Sequence, residues 1–382
     1  NIRYIAQPVI DPSGNYIAYV KITPRGADEK RGGSYREIWV TKVDGSDQRQ
    51  YTFSPVNSWS PQWTPNGHLS FLSKRTDHNP GTQIYILPFK GGEAKLLTDH
   101  KTGVGSYQWS PDGKWIAFTS RDQKSDDQKK AEKEGRDMIV MDQQHIYTRL
   151  WVYNVKAATY QKAFKQDLNV ASFKWSSDSK TIVFQATDKT GADRDLLDRS
   201  IYRVRAPSGN PKKVLETPGK LGDMAISPNS ENLAFLGATS YNDPLSQSIY
   251  TVPLKGGKAN LLTPDFKESF VAVDWVDDNT IMGKSYRGTK TVLSTINTKG
   301  KSQEGMANQT DVLAPDEILS SVSYHKPSGK LVITASSHGH PNELFAGSLG
   351  SNEIKRLTKT NPNMNEIDLA KQEMISWLGP DG

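Results

Sequence analysis

The chain has 382 residues, 48 Lys and Arg against 42 Asp and Glu for a formal net charge of +6, and no cysteine. The missing cysteines exclude a disulfide framework, a thiolate zinc site and a Cys nucleophile, and the two charge signs alternate without a basic stripe, which argues against a nucleic-acid partner. No apolar run approaches the roughly 20 residues of a membrane-spanning helix, and Trp, Tyr and Ile are too frequent for disorder, so a soluble folded protein with no membrane partner is expected. Asn1-Ile2-Arg3-Tyr4 has neither an initiating Met nor an apolar signal core, which predicts a start inside a longer gene product.

In chain order, one motif keeps returning. It is first met as Ile10-Asp11-Pro12-Ser13-Gly14-Asn15-Tyr16-Ile17-Ala18-Tyr19, then as Trp63-Thr64-Pro65-Asn66-Gly67, and most fully as Trp109-Ser110-Pro111-Asp112-Gly113-Lys114-Trp115-Ile116-Ala117-Phe118. Weaker copies are Trp175-Ser176-Ser177-Asp178-Ser179 and Ile226-Ser227-Pro228-Asn229-Ser230, and the faintest are Trp275-Val276-Asp277-Asp278-Asn279 and His325-Lys326-Pro327-Ser328-Gly329. The anchors fall at 11, 64, 110, 176, 227, 276 and 326, so the spacing is close to fifty everywhere except between the third and fourth copies.

Ser or Asp, then Pro, then Asp or Asn, then Gly fits a type I turn: Pro presets φ, the polar side chains bond nearby backbone, and Gly takes the exit. The Trp or Ile before the turn ends one strand, and the large-small-large triplet after it begins the next. A second block follows each turn. Ile84-Tyr85-Ile86-Leu87-Pro88-Phe89-Lys90-Gly91-Gly92 with Leu96-Leu97-Thr98 returns as Ile249-Tyr250-Thr251-Val252-Pro253-Leu254-Lys255-Gly256-Gly257 with Leu261-Leu262-Thr263, each reading as strand, turn, strand. Four short strands in a unit of about fifty residues, seven times over, predict an all-β fold: a seven-bladed β-propeller with four-stranded antiparallel blades. Four of the nine tryptophans share one repeat position, which assigns Trp63, Trp109, Trp175 and Trp275 to packing between blades.

The long third interval predicts an insertion in the third blade, a short helix or loop within Asp122 to Asp142, where residues 126–137 are polar and favour a helix. A smaller charged break runs from Asp188 to Arg199. Chemistry is harder to find. No Gly-x-Ser-x-Gly occurs; Gly283-Lys284-Ser285-Tyr286-Arg287-Gly288 has the wrong spacing and is assigned to a strand edge. His338-Gly339-His340 reads as a surface loop and Asp44-Gly45-Ser46-Asp47 as a turn between the third and fourth strands of a blade, so neither a metal nor any other cofactor is expected.

The Ser-Pro-Asp-Gly-Lys-x-Ile-Ala-Phe repeat resembles the propeller repeat of TolB-like proteins and of the prolyl oligopeptidase family of serine peptidases. Seven units, where a TolB-type propeller would have six, favour the peptidases. So does the tail Glu373-Met374-Ile375-Ser376-Trp377-Leu378-Gly379-Pro380-Asp381-Gly382, which is similar to the connector into the α/β-hydrolase domain of acylaminoacyl-peptidase and dipeptidyl-peptidase relatives. The resemblance implies a propeller over residues 1–371, a connector from 372 to 382, and a catalytic α/β-hydrolase domain as the missing partner. It implies that the propeller caps the active site and gates short peptides, and that this chain is inactive alone. The insertion resembles one in bacterial members, which makes Glu132, Glu134, Arg136, Asp137 and Arg149 the candidate substrate contacts, although no tandem Glu-Glu pair of the dipeptidyl-peptidase kind is present. Family habit favours a periplasmic or secreted location over the cytoplasm. The alternatives are a stand-alone TolB-like interaction module and, with less behind it, a propeller lyase or glycosidase.

Overall fold

The computed structural model describes residues 2–75, 81–136, 146–217, 219–241, 247–264, 268–299, 309–351, 353–370 and 372–380. They form seven antiparallel sheets of four strands, each built from consecutive stretches of chain spanning 4–50, 58–96, 107–162, 169–216, 221–261, 269–313 and 318–356. These are blades 1 to 7. The first strand of each blade lies innermost, where neighbouring first strands approach one another around a channel.

The turn motif sits at the corner between first and second strands. At its first position Ser110, Ser176 and Ser227 are buried, and each hydroxyl accepts the backbone N–H five residues on, from Trp115, Thr181 and Asn232 at 2.9–3.0 Å. Each also donates to the Asp or Asn two residues along, at 2.6–2.7 Å. The fourth position requires φ above zero: Gly14, Gly67 and Gly113 lie at +72°, +80° and +71°, whereas Ser179 and Ser230 hold +60°. Both serines have a use for the side chain that glycine lacks. Ser179 Oγ accepts the N–H of Asp112 and Ser230 Oγ that of Ser177, each at 3.0 Å, tying the corners of adjacent blades together.

A second repeated device fixes the short fourth strand. The hydroxyls of Thr52, Thr98, Thr263 and Thr358 accept the backbone N–H of Ile38, Ile84, Ile249 and Leu344, in each case fourteen residues earlier, at 2.8–3.0 Å. Two- or three-residue outer strands such as Arg49–Gln50 are thereby held where ladder bonds alone are few.

The apolar core is divided into seven clusters, one at each seam between blades. Strand alternation sends each blade's two faces to its two neighbours, as Leu72 and Phe71 show: the first packs toward blade 3 and the second toward blade 1. The tryptophans cross these seams. Nε1 of Trp63 donates to Val9 O at 3.2 Å, Trp109 to Ser70 Oγ at 2.9 Å, Trp175 to Gln108 O at 3.1 Å and Trp275 to Ala225 O at 2.9 Å, always into the preceding blade.

Blades 7 and 1 exchange no strand, so side chains must close the ring. Ile5, Ile17 and Tyr19 pack on Val332, Leu344 and Ala346. Asn361 brackets the backbone of Arg3, accepting its N–H at 2.8 Å and donating to its carbonyl at 2.7 Å, and Lys330 Nζ donates to Gly14 O at 2.8 Å. The insertion in blade 3 contains a helix, α1 (Asp126–Lys133), started by a capping box between Ser125 and Gln128; the break in blade 4 contains α2 (Ala192–Leu197). One assignment is corrected: the 283–288 stretch overlaps the second strand of blade 6, Thr280–Arg287, paired on both sides, and is not at a sheet edge.

The indole bonds yield a prediction. Trp275→Phe keeps most of the buried ring but leaves Ala225 O unpaired, so urea unfolding should show a loss of about 1–3 kcal/mol. Trp63→Phe should cost less, because Trp63 is half-buried and water can replace its bond.

Candidate functional site

An innermost strand is a sheet edge, and its channel-facing backbone groups lack ladder partners. Bulges and polar side chains meet that demand. The first strands of six blades carry a register break at the same height, at Ala6/Val9, Trp59/Gln62, Val170/Ser172, Leu221/Met224, Phe270/Ala272 and Leu319/Ser321. Across alternate seams, Gln7 Oε1 accepts Ser60 N at 2.8 Å, Gln108 Oε1 accepts Trp175 N at 3.1 Å, and Asp223 Oδ2 accepts Val273 N at 3.2 Å. Much of the polarity in the channel is therefore spent on holding the ring together.

Between blades 3 and 7 the channel widens into a cavity of about 360 Å3. Three lysines and two aspartates line it. Lys174 Nζ lies 3.6 Å from Asp223 Oδ1 and Lys326 Nζ 3.3 Å from Asp274 Oδ1, two partly exposed pairs worth at most about 1 kcal/mol each. Lys284 differs. It is 8% exposed and its Nζ donates to the carbonyls of Leu319 and Ser320, at 3.4 and 2.5 Å. Ser320 is the bulged residue of blade 7, whose carbonyl the ladder leaves free. Burial pushes the Lys284 ammonium below the usual lysine range, opposed by the charge of Asp223.

A second region lies on one rim. Antiparallel strands alternate ends, so the connections between second and third strands share an end with the starts of the first strands. Both helical insertions are there, bridged by Tyr147 Oη donating to Asp188 O at 3.2 Å. The C-terminal run leaves from the same rim and reaches blade 6, where Thr289 Oγ1 lies 3.8 Å from Met374 Sδ. Met374, Ile375, Trp377 and Leu378 are 67–83% exposed along it.

The structure separates the sequence candidates. Glu132 lies in α1 and pairs with Lys124 at 2.7 Å; Glu134 caps the helix and pairs with Arg136; all three side chains project into solvent. Arg149 sits apart from them in the third strand of blade 3. It is 9% exposed, held by Asp122 at 2.7 Å and Asp167 at 2.8 Å and stacked over Tyr147, so its guanidinium already has its partners. Asp137 lies outside the described residues. His340 Nδ1 is 2.8 Å from Pro341 O in a hairpin, and among the described residues no three His, Asp or Glu side chains gather as a metal would need.

The channel lysines and aspartates were missed by sequence reasoning, and a signal for some of them existed. The residue before each repeat-position Trp is polar, namely Gln62, Gln108, Lys174 and Asp274, and alternation turns it away from the seam that the Trp fills.

On the rim beside the tail, Arg287 bridges Glu268 at 2.9 Å and Asp311. The guanidinium, helped by Ser294 and Gln309, holds the Asp311 carboxyl below the usual carboxylate range. A depressed folded-state value gives stability that is present above the unfolded value of about 3.9 and is lost as pH falls through the folded one. The melting temperature of the parent chain should exceed that of Asp311→Asn near pH 7, and the gap should shrink below about pH 4.

No family model matches the chain. Dipeptidyl-peptidase 5 of Porphyromonas gingivalis is 22% identical over 310 residues, covering 72% of this chain and 43% of that protein. An uncharacterized peptidase of Bacillus subtilis, YuxL, is 26% identical over 211 residues, covering 50% and 31%. The chain thus spans less than half the length of either peptidase. Among solved structures, Pyrococcus horikoshii acylaminoacyl peptidase superposes with a TM-score of 0.69 at 15% identity over 96% of this chain and 54% of that one. The propeller domain of the Pyrococcus furiosus trilobed protease, described as having an open velcro topology, superposes at 0.66 and 13% identity over 95% and 100%. With seven four-stranded blades closed without strand exchange, the chain has the propeller fold seen in acylaminoacyl peptidase and in the trilobed protease, and its sequence relatives include peptidases.

Proposed function

We propose that this propeller serves a serine peptidase as a cap over the active site, admitting short peptides and turning away folded proteins. The observation that carries the reading is the C-terminal run. Four large apolar side chains, Met374, Ile375, Trp377 and Leu378, stand in water on the rim that also bears α1 and α2. Exposed apolar clusters of this kind mark surfaces that meet a partner, and an α/β-hydrolase domain seated on that rim would cover them.

The ring supports the gating role. Its channel is lined by paired charges and by side chains bonded across the seams, and the described cavity, about 360 Å3, has room for a small ligand and none for a folded chain. Glu132, Glu134 and Arg136 on the insertion would act as rim contacts for the peptide. The carboxylates of Glu132 and Glu134 pair with the exposed Lys124 and Arg136, which a substrate amine can displace.

The test compares this chain with a version extended through the following reading frame. The extended protein should bind a fluorophosphonate probe and hydrolyse short chromogenic peptides, while leaving the same sequence uncut inside a folded protein; Glu134→Ala should raise KM severalfold with an unchanged melting temperature. Hydrolysis or probe labelling by the 382-residue chain alone would overturn the reading.

A further inference from the structure

The channel cavity contains one buried cation that, among the described residues, has no ion-pair partner, Asp223 acting on it only from beyond contact distance. Lys174 and Lys326 each face an aspartate, and both aspartates also accept a backbone N–H, Asp223 from Val273 and Asp274 from Trp275. Among the described residues no carboxylate lies within ion-pair distance of Lys284. Its two acceptors are neutral carbonyls, and an ammonium has three donors. A buried charge satisfied only by dipoles is costly, and a counter-ion in the cavity beside it would relieve that cost.

We propose that the cavity is a binding site for a small organic carboxylate, with Lys284 as its anchor. Three lysines against two aspartates leave a single positive charge, which a monovalent carboxylate balances. A phosphate dianion would overshoot and be repelled by Asp223 and Asp274. The wall supplies the rest of the selectivity. Met282, Leu293 and Val322 line the same cavity as the ammonium, so the site suits a carboxylate carrying an apolar group, as at the C-terminus of a short peptide or in an acylated amino acid. The site lies within the propeller and stands whether or not a hydrolase domain is attached.

Isothermal titration calorimetry of the 382-residue chain with N-acetyl-leucine and with N-acetyl-leucinamide tests this, since the two differ only in the carboxylate. The acid should bind at least about tenfold more tightly than the amide, and inorganic phosphate should not displace it. Lys284→Met, which keeps the side-chain stem, should abolish the preference for the acid, whereas Lys255→Met, at an exposed turn of blade 5 outside the cavity, should leave it unchanged. Equal binding of acid and amide, no binding of the acid up to about 10 mM, displacement by phosphate, or an undiminished preference in Lys284→Met would each overturn the proposal. The comparison of acid with amide on the unaltered chain decides it even if Lys284→Met fails to fold.

Discussion

Everything in this molecule depends on burial at the seams. A four-stranded blade has two apolar faces and cannot hide both by itself, so each blade is completed by its neighbours and the row becomes stable only as a closed ring. Among the described residues the cluster between blades 7 and 1 is the smallest, six buried side chains against thirteen between blades 3 and 4, and it must do without covalent or strand-exchange help. That seam combines six buried side chains with hydrogen bonds from Asn361, Lys330 and His325 to the first turn and first strand. A ring closed in this way can place its channel, its insertions and its C-terminal run with fixed geometry, because shifting one blade would strip apolar surface from two seams.

The repeat made this architecture readable. The turn residues state their own reasons: a buried hydroxyl that accepts a backbone N–H, a proline that sets φ, and a fourth residue with positive φ. Blade number and strand order followed from their spacing. The position of the tryptophans identified the seams, although their hydrogen bonds into the preceding blade became visible only in three dimensions, since the acceptors lie 39 to 67 residues away. The threonines that latch the fourth strands were on view as Leu-Leu-Thr at two sites but had no meaning until the bonds spanning fourteen residues were seen. Ser179 and Ser230 in place of glycine read as decay of the motif, yet each bonds the corner of the preceding blade.

The functional features were less legible for a physical reason. Local sequence pattern reports which face of a strand is buried, whereas a channel gathers one or two residues from each of several blades. Lys174, Asp223, Asp274, Lys284 and Lys326 are separated by up to 152 positions and meet only because the ring closes. Lys284 is the hardest of them: it sits in a second strand, where alternation predicts packing, and it points inward because the bulge at Ser320 frees a carbonyl for it. The insertion was easier to find, since it interrupts a regular spacing. Its charged residues form local pairs, Lys124 with Glu132, Lys129 with Asp126 and Arg136 with Glu134.

The most direct measurement is native-state hydrogen exchange of the parent chain and of Leu344→Ala, which opens a void in the closing seam. If seam burial holds the ring, the strands Tyr4–Ile10 and Tyr16–Thr23 of blade 1 and Lys330–Ser337 of blade 7 should lose protection together, while blades 3 and 4 keep theirs until global unfolding. Loss confined to blade 7, with blade 1 unchanged, would show that the two blades do not depend on each other and would contradict closure by side-chain packing.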